Sequence, residues 1–118
     1  GSYTGNGSAD GPFVYTGFRP RWVLFKRSDT SSAYSDWYII DSARNIYNLG
    51  TNFLRANSSD PENYYNFSTG NAGTFPIDFL SNGFKYRLDN SGADVNANGG
   101  TYIFAAFAEN PFQYARAR

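Results

Sequence analysis

The side chains able to do chemistry in this chain are carboxylates, carboxamides and tyrosines. None of its 118 residues is histidine or cysteine. That composition excludes imidazole acid–base catalysis, a Ser-His-Asp triad, thiolate nucleophiles, disulfides and the usual zinc ligand sets. Two-carboxylate chemistry of the glycosidase kind needs a pair of acids facing each other across a cleft. Asp36, Asp41, Asp60, Glu62, Asp78 and Glu109 are the candidates, and nothing in their spacing selects a pair. Asp10, Asp60, Asp89 and Asp94 stand among turn formers, where aspartate is common for backbone reasons. The chain therefore reads as non-catalytic, with no cofactor implied.

One segment has the outline of a cation site. Asp94-Val-Asn96-Ala-Asn98-Gly99 matches the first half of a calcium loop, whose hard oxygen ligands Asp94, Asn96 and Asn98 would supply. The second half fails, because Ala105 stands where a bidentate Glu belongs and a strand pattern follows instead of a helix. The competing reading is a polar turn in which Gly99 and Gly100 adopt positive φ. Nearby in type, Asp41 and Arg44 are spaced to close a turn with a short-range ion pair.

The chemistry best suited to recognition lies in loops. Tyr34, Asn63, Tyr64, Tyr65 and Asn66 fall in polar stretches, 28–35 and 58–75. Tyrosine offers a rigid apolar face with a hydroxyl, and asparagine a paired donor and acceptor. Sugars present C–H faces and hydroxyls, so these residues suit a glycan, and equally a protein surface. The bland alternative is that they cover loop bases.

Short strands must position these loops. Aromatics are 19% of the chain and turn formers fill the spaces between them, which favours many short strands over helices. Strands are expected at Tyr3-Thr4, Pro12 to Thr16, Arg21 to Arg27, Asp36 to Asp41, Thr51 to Asn57, Phe75 to Leu80, Phe84 to Leu88 and Thr101 to Glu109. Asn82-Gly83 reads as a tight hairpin turn. Arg21-Trp-Val-Leu-Phe-Lys-Arg27 is apolar on both faces, as at the centre of a sandwich or in a subunit contact. Trp22 and Trp37 are expected in the core. In the last strand Tyr102, Phe104, Ala106 and Ala108 share one face, and Ile103, Ala105, Phe107 and Glu109 the other. No apolar helical period exceeds about two turns. The expected fold is an all-β antiparallel β-sandwich in one domain, residues 1–118, with jelly-roll and concanavalin-like topologies both open.

Charge excludes further classes. Ten basic and ten acidic residues give a formal net charge of zero, which speaks against a generic phosphate-binding surface and so against nucleic acid. Arg19, Arg21, Lys26 and Arg27 cluster in sequence, but alternation divides them between two faces. No apolar run approaches the roughly 20 residues of a membrane helix. The chain has no methionine, so it reads as a piece of a longer protein.

Four segments carry a resemblance. They are Tyr3-Thr-Gly-Asn-Gly-Ser-Ala-Asp-Gly-Pro-Phe-Val-Tyr-Thr-Gly-Phe-Arg-Pro20, Asp36-Trp-Tyr-Ile-Ile-Asp-Ser-Ala-Arg44, Ile77-Asp-Phe-Leu-Ser-Asn-Gly-Phe-Lys85 and Thr101-Tyr-Ile-Phe-Ala-Ala-Phe-Ala-Glu-Asn-Pro-Phe112. Together they resemble a C-terminal module of bacteriophage tail-fibre and virion structural proteins. The match spans Tyr3 to about Arg118 and is densest at both ends. It implies a particle-borne module located in the virion. The favoured expectation is a receptor-binding domain that recognises a host surface glycan or protein. The alternative is a structural or decoration module that assembles within tail or capsid. Other virion proteins and copies of the chain itself, in a trimer for example, are the implied partners.

Overall fold

A computed structural model describes residues 1–31, 35–44, 47–48, 52–62, 76–88 and 93–110. Their elements are β1 (Ser2–Thr4), β2 (Phe13–Tyr15), β3 (Pro20–Arg27), β4 (Tyr38–Asp41), β5 (Leu54–Arg55), β6 (Ile77–Leu80), β7 (Gly83–Tyr86), the one-turn helix α1 (Ala93–Asn96) and β8 (Thr101–Ala108). Two antiparallel sheets form. One has five strands in the order β1-β8-β3-β4-β5, the other three in the order β2-β7-β6. The chain is thus an all-β antiparallel sandwich, as its alternating strand patterns predict.

The long strands β3 and β8 are central and adjacent. Val23 pairs with Ala106 and Phe25 with Phe104, so both strands send the same alternate residues inward. β1 lies on the other side of β8, with Tyr3 opposite Tyr102. The first strand, β1, and the last described strand, β8, are therefore hydrogen-bonded to each other.

The core between the sheets is largely aromatic. Tyr3, Phe25, Tyr38, Phe53, Phe84, Tyr86 and Tyr102 are all buried, with Val23, Ile40, Ile77, Phe79 and Val95 filling between them. Tyr3 stacks on Tyr102 with ring centroids 4.8 Å apart, and Phe25 meets Tyr86 edge to face at 5.5 Å. Edge and stacked pairs of this kind contribute beyond the area they bury. Two of the buried hydroxyls meet backbone groups. The Tyr3 hydroxyl donates to the Val95 carbonyl at 2.9 Å, and the Tyr102 hydroxyl accepts from the Ala97 amide at 2.8 Å. The Tyr86 hydroxyl is buried beside that of Tyr3, at a geometry that makes no hydrogen bond.

Four expectations need correction. Trp22 and Trp37 are half-buried on the outer side of the five-stranded sheet, not in the core. Inward-facing Val23 and Phe25 force Trp22 outward, and the second sheet covers only one face of β3. The hairpin turn is Ser81-Asn82, one residue earlier than expected, and Gly83 opens β7 opposite Leu80. Of the expected pair, Gly99 takes a positive φ, at 76°, while Gly100 stays outside that region. The expected strand 51–57 is reduced, among its described residues, to Leu54–Arg55, because Ser58, Asp60, Asn57 and Arg55 turn their side chains into a polar network.

Candidate functional site

The outer face of the small sheet is built by alternation on three short strands. Phe13 pairs with Lys85, which pairs with Asp78; Tyr15 pairs with Gly83, which pairs with Leu80. These residues therefore stand side by side on one surface. Phe13 and Tyr15 remain 46% and 69% exposed although both are large aromatics. Glycines receive their rings. Two Phe13 ring atoms lie 3.0 Å from where a Gly83 side chain would begin, and the Tyr15 hydroxyl lies 3.6 Å from the corresponding point of Gly17. Gly17 has φ 80°, a left-handed conformation that suits glycine.

Charged groups of alternating sign border the aromatics. Asp10 accepts from Lys85 Nζ at 2.6 Å and from Arg87 Nη1 at 3.2 Å. Arg87 Nε also donates to Asp78 at 2.6 Å. The hydrogen bond and charge of Lys85 hold the Asp10 carboxyl below the usual aspartate range, so it is an acceptor at neutral pH. Chemically the face offers two exposed rings beside fixed donors and acceptors, the combination a pyranose needs for its C–H faces and its hydroxyls.

The outer face of the five-stranded sheet differs in character. Trp22 pairs with Phe107, Leu24 with Ala105 and Ile39, and Lys26 with Ile103. Ile39 continues the row to Leu54. Phe107 is 61% exposed and Ile103 39%. Trp22 and Phe107 meet edge to face at 5.3 Å. Lys26 sits 5.7 Å above the Trp37 ring, its charge at the margin of the patch. The result is a broad apolar sheet surface on the side away from the core.

The family described as Domain of unknown function (DUF7483) matches residues 1–111. The chain belongs to that family. No curated protein and no solved structure matches it.

The residues singled out from the sequence fare differently within this family fold. Tyr34, Asn63, Tyr64, Tyr65 and Asn66 lie outside the described residues. Each of the six candidate carboxylates pairs with an arginine: Asp36 and Asp60 with Arg55, Asp41 and Glu62 with Arg44, Asp78 with Arg87, Glu109 with Arg19. At Asp36, burial works against the carboxylate, but hydrogen bonds from Asn57 and Arg55 and the Arg55 charge outweigh it and favour the ionised form, the reverse of what a general acid needs. The Asp41–Arg44 pair forms at 2.8 Å as expected, and Asp41 Oδ1 also accepts from the Ala43 and Arg44 amides. Of the basic cluster, Arg19 and Arg27 are engaged by Glu109 and Asp29.

The calcium-like segment docks the start of the chain. Asn96 is fully buried; its Oδ1 accepts from the Asn6 amide at 2.9 Å, and its Nδ2 faces the Asn6 Oδ1, Ser8 and Leu88 oxygens. Gly5 exchanges backbone bonds with Gly100 and Gly99 alongside. Asn98 is exposed, and Asp94 belongs to α1. The carboxamide resembling a metal ligand thus binds the segment around Asn6. Phe13 and Tyr15 were missed because their F-x-Y alternation reads only as a strand; nothing in the sequence says that the face they share lies outside.

Proposed function

We propose that this chain is a non-catalytic virion module, a tail-fibre receptor-binding domain that recognises a glycan on the host cell surface. The observation that carries this reading is the exposed Phe13–Tyr15 pair, set against glycines and bordered by Asp10, Lys85, Arg87 and Asp78. Exposed aromatics cost solvation in a free domain, and a stacked sugar ring repays it while the charged row fixes hydroxyls. The phage-module motifs of the sequence support the particle setting, and the arginine-paired carboxylates support a binding role over a hydrolytic one. A second reading, assembly within tail or capsid, is favoured by the apolar outer face of the five-stranded sheet.

The test is binding of the labelled domain to an array of bacterial lipopolysaccharides and capsular glycans, with and without calcium. The reading expects saturable, calcium-independent binding to a restricted set of glycans. Absence of binding to every glycan moves the weight to the assembly reading.

A further inference from the structure

On the glycan-binding reading of the Phe13–Tyr15 face, on which this rests, we infer that the face selects uncharged sugars and that Asp10 is the residue that turns acidic ones away. Phe13 stands opposite Lys85 across β2 and β7, and Asp10 reaches the same Lys85. Cross-strand partners lie about 5 Å apart at Cβ, so the ring and the ion pair fit under one sugar unit.

Charge on this face is balanced and layered. Asp10 and Asp78 face Lys85 and Arg87, two carboxylates against two cations. The outermost group is a carboxylate: the Asp10 side chain is 76% exposed, that of Lys85 only 21%. A ligand arriving from solvent meets Asp10 before it meets the lysine. A uronic acid or sugar phosphate brings its negative charge against that carboxylate and reaches Lys85 only by displacing it. A protonated amino sugar gains little, since Lys85 and Arg87 already lie 2.6 and 3.2 Å from the Asp10 Oδ1.

Neutral hydroxyls fit the groups that remain. Both cations hold Oδ1, and among the described residues the Asp10 Oδ2 has no hydrogen-bond partner. Oδ2 is thus free to accept from a hydroxyl, which donates as a carboxylate cannot. The Lys85 ammonium has further N–H donors beyond the one it gives to Asp10, and these suit a second hydroxyl. Held below the usual aspartate range by the hydrogen bond and charge of Lys85, Asp10 keeps this acceptor at neutral pH.

The test measures binding of the 1–118 chain to polysaccharides of neutral repeats and to acidic capsular polysaccharides. Each acidic one is paired with its carboxyl-reduced form, in which uronic acids have become neutral hexoses. The wild type should bind neutral and carboxyl-reduced members, and acidic ones at least about tenfold more weakly. Its affinity should change less than about twofold between roughly 50 and 500 mM sodium chloride. D10N removes the outer charge and leaves Lys85 without its carboxylate. It should shift preference towards the acidic members by at least about tenfold and make their binding fall with salt. Wild-type binding that favours an acidic polysaccharide over its reduced form overturns the selectivity and leaves the glycan reading standing. So does a folded D10N that keeps the wild-type preference; should D10N not fold, the wild-type comparison decides without it. No binding to any member of either class is the failure of the glycan reading itself, and the selectivity falls with it.

Discussion

Asn96 and Asn6 are joined twice: the Asn96 Oδ1 accepts from the Asn6 amide at 2.9 Å, and the Asn96 Nδ2 donates back to the Asn6 Oδ1 at 3.2 Å. The same amide reaches the Ser8 and Leu88 carbonyls at 2.9 and 2.6 Å. This buried carboxamide fastens the glycine-rich start of the chain to the loop before β8. A carboxylate would suit a calcium ion better, but it would face those carbonyl oxygens with no N–H to offer. N96D is therefore expected to destabilise the fold by at least about 3 kcal/mol at neutral pH, more than N96A, and added calcium should not restore it. Urea denaturation with and without calcium checks this.

The aromatic core makes a second contrast. The Tyr3 hydroxyl donates to the buried Val95 carbonyl, whereas the Tyr86 hydroxyl makes no hydrogen bond. Y3F should cost about 1–2 kcal/mol by leaving that carbonyl unmet, and Y86F should be neutral or stabilising by up to about 1 kcal/mol. Equal losses in the two variants would contradict this account of the core.

These tyrosines also set an alkaline limit. Burial, reinforced by neighbouring tyrosines, raises the Tyr3 phenol well above its usual 10.0, and burial likewise raises that of Tyr86. The folded state thus favours the protonated phenols, and their contribution is intact below pH 10. It is lost as pH rises above that value, where the unfolded chain ionises first. Tyrosinate absorbance of the two buried rings should appear together with loss of folded structure, not before it.

On the acid side the decisive group is Asp36. Burial works against its carboxylate, but hydrogen bonds from Asn57 and Arg55, with the Arg55 charge, outweigh it and hold the group below 3.8. A depressed folded-state value contributes stability above pH 3.8 that disappears as pH falls through the depressed value. D36N should be less stable than the wild type at neutral pH and should lose less on acidification, as thermal melts across that range would show.

Strand positions were legible because aromatic and β-branched runs alternate clearly in β3 and β8. The Asp41–Arg44 turn was legible because both partners lie within three residues. Sheet order was not, since it depends on which strands meet across the whole chain: Tyr3 reaches Tyr102 only once the fold closes. The same limit hid the site. Gly83 looks like a turn residue in Asn82-Gly83, yet a side chain there would run into the Val14 carbonyl and the Phe13 ring. That role needs β2 beside β7, and a single strand's pattern cannot show which of two apolar faces is covered. Trp22 in β3 and Trp37, just before β4, were misplaced for that reason.

The central claim is that Phe13 and Tyr15 form a glycan-binding face. Equilibrium binding of purified envelope polysaccharide from a susceptible bacterium, measured for wild type, F13A/Y15A and I103K/F107K, tests it most directly. The account predicts saturable binding by the wild type, a loss of at least about tenfold in F13A/Y15A with the fold retained, equivalent to about 1.4 kcal/mol, and unchanged intrinsic affinity per site in I103K/F107K. Binding by F13A/Y15A equal to that of the wild type, or no binding by any of the three, would contradict it.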